Sequence, residues 1–268
     1  MDPLILAVVL GTLIGLVMAL TGAGGGVMAI PLLVFGLHLP VQQAAPVGLV
    51  AVGLAAVLGA ALGLRQGIVR YRAAALIGAV GMLVAPLGVL LAQRLPNRPL
   101  LGAFALVLIY TAWHMLKRPA QATALPVAVL CRVSPLDQRL TWTRPCARAL
   151  AATGMTAGLL SGLLGVGGGF VIVPALKRYT DLDIRSIQLT SLAVIALVSL
   201  SGVAAAALQG PLRWDVALPF SGGAVLALLA GQRIAKKLDP KRLQQGFAWF
   251  SVLVALLMLA KAVGWVSN

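Results

Sequence analysis

Gly22–Pro31 has the sequence GAGGGVMAIP, and Gly165–Pro174 has GVGGGFVIVP. Each places four glycines within five residues and a proline five residues further on. The neighbours are leucine, valine and alanine, which otherwise continue a helix. Glycine disfavours helix by about 1 kcal/mol relative to alanine and proline by about 3 kcal/mol. Two matching interruptions in an apolar chain therefore predict helices broken at two equivalent places.

The equivalence extends well beyond the glycines. An ungapped shift carries Gly11 onto Gly154, Gly15 onto Gly158, Gly22 onto Gly165 and Pro31 onto Pro174. Further along it carries Gly59 onto Gly202, Gly67 onto Gly210, Arg70 onto Arg213, Gly88 onto Gly231, Phe104 onto Phe247 and Met115 onto Met258. Matches of less abundant residue types over almost a whole half indicate duplication. The units are a first repeat over 1–116, a basic connector over 117–148 and a second repeat over 149–268.

The chain has 268 residues, of which 60% are hydrophobic and only 10% charged. Soluble domains carry about 25% charged residues, so a water-facing skin cannot be assembled from this composition. Glutamate is absent, and the aspartates are Asp2, Asp137, Asp181, Asp183, Asp215 and Asp239. Apolar spans are predicted near 4–20, 43–63, 73–92 and 99–116, then 149–164, 187–208, 216–234 and 243–263. Most approach the roughly 20 residues that cross a bilayer. The pieces at 27–37 and 170–177 are too short for straight crossings, and the proline in each is taken as part of the helix break. The first span has no basic flank before it and runs into the glycines, so it is read as a retained helix.

The net charge of +15 sits in loops between apolar spans. That fits membrane orientation, and the absence of aromatic interleaving argues against nucleic acid. Lys117, Arg118, Arg132, Arg139, Arg144 and Arg148 place the connector in the cytoplasm by the positive-inside rule. Parity then puts Arg65, Arg70 and Arg72 inside against Arg94 and Arg98 outside, a narrow agreement in the first half. In the second half Lys177, Arg178, Arg185 and the set Arg233–Arg242 fall inside. Each half crosses an odd number of times, so the repeats are inverted, a plan found in secondary transporters. Whether the short pieces are re-entrant or complete tilted crossings is left open by the sequence.

Broken backbone inside a bilayer must be buried in protein or line a cavity. Amide N–H groups at the start of the following helix lack intrahelical partners, and the helix dipole favours negative charge there. Gly24, Gly25, Gly26, Gly167, Gly168 and Gly169 are accordingly the candidate anion cradle, with Pro31 and Pro174 as structural helix breaks. Thr21, Gln43, Thr190 and Ser191 are further candidates, because hydroxyls and amides donate to an oxoanion without a full charge. Ser199 and Ser201 are read as packing residues, and His38 and His114 as interfacial. No phosphate loop follows the glycines, since Lys-Ser/Thr is missing. Nor does any nucleophile, histidine and carboxylate set suggest an enzyme, or any histidine spacing a metal. Cys131 and Cys146 admit a disulfide, but two inert thiols are the expectation.

With GAGGGVMAIPLL, GLLGVGGGFVIVPAL and QLTSLAV at Gln188–Val194 in view, the chain resembles the TauE/SafE family of membrane transporters, described as sulfite or sulfonate exporters. The resemblance covers nearly the whole chain and is carried by the two glycine copies together. It implies an all-α polytopic membrane protein of two inverted repeats, each a glycine-broken helix pair plus three longer helices. It also implies transport of a small sulfur-containing anion such as sulfite or sulfoacetate across the inner membrane. Gly24–Gly26, Pro31, Gly167–Gly169, Pro174, Thr190 and Ser191 match the family pattern. The first half departs from the threonine–serine pair, with PVGL at Pro46–Leu49, so a site would lean on the second half. The partners expected are a small anion, membrane lipid and a coupling proton or sodium ion, with no cofactor. A facilitative anion channel, or a membrane-embedded enzyme or assembly factor, are the competing readings.

Overall fold

The computed structural model describes residues 3–21, 26–117, 130–131, 142–235 and 240–263. Its helices are α1 (Pro3–Thr21), α2 (Ala29–Gly36), α3 (Val41–Arg65), α4 (Tyr71–Arg94) and α5 (Asn97–Lys117), followed by α6 (Arg144–Leu164), α7 (Gly169–Tyr179), α8 (Ile184–Ala207), α9 (Trp214–Ala235) and α10 (Pro240–Val263). Each predicted span corresponds to one helix. The main boundary shift is at α6, which starts before the predicted 149. Thr143 caps it by accepting the Cys146 N–H at 3.3 Å. Arg144 and Arg148 therefore belong to the first turns of α6 and not to the connector.

Among the described residues α3, α4, α6, α8 and α9 are long and apolar enough to cross a membrane. Their outward surfaces are apolar too: Leu83 is 78% exposed, Leu200 65% and Leu218 61%. Such a surface suits lipid and not water. The chain is an all-α integral membrane protein.

Glycine and small residues set how the helices meet. In membranes, where lipid is as apolar as leucine, association relies on close packing between small residues. A Cβ added at Gly154 would strike the backbone of Ile77, one at Gly158 that of Gly81, and one at Gly162 that of Ala85. The four-residue steps rise together, so α4 and α6 run parallel with their backbones in contact. The equivalent interface joins α1 to α9, where Gly11 meets Phe220 and Gly15 meets Ala224. Phe220 and Ala224 are the shifted counterparts of Ile77 and Gly81. The duplicated sequence thus builds the same contact twice, each time between one half and the other.

The equivalent helices α3 and α8 pack against each other in opposite directions. Gly53 meets Ser199, Gly59 meets Leu192 and Gly63 meets Leu189, while Leu49 meets Gly202. Residue numbers rise along α3 as they fall along α8. At one end of this pair Arg185 donates to the Gln66 side chain at 2.8 Å, and the Ser186 hydroxyl to the Ile68 carbonyl at 3.0 Å. At the other end the N–H of Val41 donates to Asn97 Oδ1 at 3.0 Å and Gln42 Nε2 to the Leu95 carbonyl at 3.0 Å.

Cys131 and Cys146 form a disulfide, with Cα atoms 5.2 Å apart. This corrects the expectation of two inert thiols. The Cys131 N–H donates to the Tyr179 carbonyl at 3.0 Å, and the Thr143 hydroxyl donates to the Leu130 carbonyl at 3.3 Å. Those bonds hold the connector residue between the end of α7 and the first turn of α6. The same link shows that α6 begins where α7 ends. The α6–α7 pair therefore enters and leaves at one end of the bundle.

Candidate functional site

The second glycine cluster shows why those residues are glycine. Gly165, Gly167 and Gly168 have φ of 70°, 75° and 74°, the left-handed region that residues with a Cβ adopt only at a cost. Gly165 closes α6 by donating to the Ser161 carbonyl at 2.8 Å. Gly168 is the N-cap of α7, and no side chain caps it. Its carbonyl accepts the N–H groups of Val171 at 3.0 Å and Ile172 at 3.2 Å. Gly167 and Gly168 form a turn into α7, and the N–H groups of Gly169 and Phe170 in its first turn have no partner within that helix.

Gly26, the counterpart of Gly169, opens a short 3₁₀ turn over 26–28 that leads into α2. A Cβ there would stand 3.1 Å from the Val166 carbonyl oxygen and 3.1 Å from Val52. A Cβ at Gly167 would stand 2.8 Å from Ile195 and 3.1 Å from the same Val52. Val52 and Ile195 are counterparts under the sequence shift, and each lies near the middle of its helix. The two breaks thus meet at one place, midway along the α3–α8 pair, between matched apolar walls. Gly24 and Gly25 lie outside the described residues, as does the side chain of Thr21.

The prolines do not break the helices. Pro31 is buried inside α2 and Pro174 lies inside α7; both helices run on past them. Proline is tolerated in the first turn, where its missing N–H is not needed, which accounts for Pro31. The interruption belongs to the left-handed glycines upstream.

Thr190 and Ser191 are fully buried, but they lie within α8 and do not open it. The Thr190 hydroxyl oxygen accepts the Arg70 N–H at 3.1 Å, tying down the α3–α4 turn. The Ser191 hydroxyl donates to the Gln188 carbonyl of its own helix at 2.8 Å. Ile195, which touches Gly167, is more than a turn further along. Gln43 is exposed and does not join the breaks. His38 is an exposed turn residue with φ 53°, in keeping with an interfacial place.

One residue beside the break had been read as packing. Ser199 is 1% exposed, and its hydroxyl has no hydrogen-bond partner among the described residues. Its Oγ lies 3.5 Å from where a Gly167 Cβ would be. Nothing in the sequence separates it from Ser201, whose hydroxyl donates to the Met82 carbonyl at 2.6 Å. Only the placement of α8 against the broken segment tells them apart.

The sulfite exporter TauE/SafE family model matches residues 7–258. The chain belongs to the TauE/SafE family. Membership makes it a membrane transporter. Similar curated proteins carry the description "probable membrane transporter protein". One from Xylella fastidiosa (strain 9a5c) is 29% identical over 98% of this chain and 97% of its own length. One from Methanocaldococcus jannaschii is 24% identical over 95% of this chain and 94% of its own length. No solved structure matches the chain.

Proposed function

We propose that this TauE/SafE protein is a secondary transporter that moves a small sulfur-containing anion, sulfite or an organosulfonate such as sulfoacetate, across the inner membrane. The substrate binds where the two glycine breaks meet, and access alternates around it as inverted repeats shift against each other. The observation that supports this reading is the second break. N–H groups at the start of α7 that no carbonyl of that helix satisfies sit in an apolar, buried setting, where an anion is a favourable acceptor for buried donors. The antiparallel packing of equivalent helices supports the inverted plan.

In this orientation the end that carries Arg65, Arg70, Arg72, Arg144, Arg148, Lys177, Arg178 and Arg185 faces the cytoplasm. Arg94, Arg98 and Arg213 face the other side. The Cys131–Cys146 bond then lies at a reducing surface, where disulfides rarely persist. Many cations outweigh one cysteine pair in setting the orientation, and labelling of a cysteine placed at the exposed Arg65 position tests it.

The deciding experiment is flux into proteoliposomes for sulfite, sulfate, sulfoacetate and taurine under imposed proton or sodium gradients. Saturable flux that is stimulated by anion on the far side is expected. High flux without saturation would make the protein a facilitative channel. Absence of flux for every oxoanion would overturn the proposal.

A further inference from the structure

The hydroxyls of this bundle have regular habits. Thr111, Thr153, Thr180 and Ser191 donate to carbonyls of their own helices, while Ser186 and Ser201 reach backbone carbonyls of neighbouring elements. Ser161, Ser199 and Ser221 are buried hydroxyls without partners among the described residues. A buried donor left unmade is costly, roughly 1–3 kcal/mol in mutational series. Of the three, Ser199 is the one whose oxygen abuts a left-handed glycine of the break. It lies on α8 one turn beyond Ile195, facing both Gly53 and Gly167. Its counterpart in the first half is Ala56, which is buried and offers no donor.

We infer that Ser199 is a substrate-binding residue, whose hydroxyl donates to the oxoanion held at the start of α7 and makes the site one-sided despite the duplicated scaffold. The inference rests on the proposed anion site and adds the side chain that completes it. Three features coincide at this place. The α7 start offers N–H groups at Gly169 and Phe170 that its own helix does not satisfy. Ser199 adds a donor that its own helix leaves unused. Val52 and Ile195 supply apolar walls, and a low-dielectric setting strengthens each hydrogen bond to a charged group. A neutral hydroxyl suits a transporter, because it recognises the anion without the tight hold of a cation.

The test is the half-saturation concentration for sulfite uptake into proteoliposomes. Ser199→Ala is expected to raise it about ten- to a hundredfold, the range for losing one hydrogen bond to a charged group. Ser199→Cys, with nearly the same volume and a weaker donor, is expected to fall between the two. Ser201→Ala, which removes a hydroxyl from the same helix, is expected to leave half-saturation unchanged. Half-saturation unchanged in Ser199→Ala would overturn the inference, as would an equal rise in Ser201→Ala. If Ser199→Ala does not fold, wild-type half-saturation in Ser199→Cys has the same force. Wild-type protein without saturable sulfite uptake would count against the transport reading itself.

Discussion

The α1–α9 and α4–α6 interfaces repeat the same glycine contacts, whereas the polar groups around the glycine breaks are not repeated. Gly11 and Gly15 find Phe220 and Ala224 as Gly154 and Gly158 find Ile77 and Gly81. At the breaks the apolar walls Val52 and Ile195 are likewise matched. Thr190, Ser191 and Ser199, however, correspond to Val47, Gly48 and Ala56. The contacts of Gly11 and Gly15 with their partners are therefore kept in both halves, where backbone lies against backbone. The hydroxyls diverged, because at each of those positions the first half closes its packing without one.

The strongest way to break this comparison is to fill the matched crossings. Gly15→Val and Gly158→Val should each destabilise the folded protein by about 1–3 kcal/mol or more, since added methyl groups meet backbone that cannot move aside. Thermal melting followed by size-exclusion recovery is the measurement. A severe loss at one glycine and none at the other would end the claim that the two interfaces are equivalent.

Next in size is Gly168→Ala. Its φ of 74° places a new Cβ 2.8 Å from the Ala157 carbonyl oxygen, and left-handed backbone costs a residue with a Cβ about 1–2 kcal/mol. Anion flux should fall sharply while folded protein is still recovered. Gly210→Ala, where an added Cβ meets nothing within 4 Å, should transport normally. Wild-type flux in Gly168→Ala would remove the α7 start from the site.

Thr190→Val sharpens the contrast between the halves. It leaves the Arg70 N–H without its acceptor and should cost about 1–3 kcal/mol of stability, with little change in half-saturation for the anion. A large rise in half-saturation would return Thr190 to the binding site. The smallest physical perturbation is a label. In a protein lacking Cys131 and Cys146, Arg65→Cys, at an exposed position at the end of α3, should react with a membrane-impermeant maleimide in inside-out vesicles and stay unreacted in intact spheroplasts. The opposite pattern would invert the proposed orientation.

The legibility of the site differed by residue for physical reasons. Glycine clusters are visible in any sequence, because few other residues tolerate left-handed backbone or such close contact, and Gly167 and Gly168 need both. Pro31 and Pro174 drew attention as breakers, yet proline inside a membrane helix is accommodated by its neighbours. Thr190 and Ser199 have equally polar side chains on one helix. One is consumed by the Arg70 N–H and the other left unpartnered, a distinction that depends on what packs against α8.

Sequence alone pointed to a bilayer, to two related halves, and to an interruption at the glycines of each. Apolar content, spacing and backbone freedom are properties of the residues themselves, so they need no partner to be read. The tertiary structure alone decided that α6 and α7 return to one end, that Cys131 bonds to Cys146, and that both breaks converge on Val52. Those outcomes depend on contacts between segments far apart in the chain, and no local propensity encodes which distant surface a helix will meet.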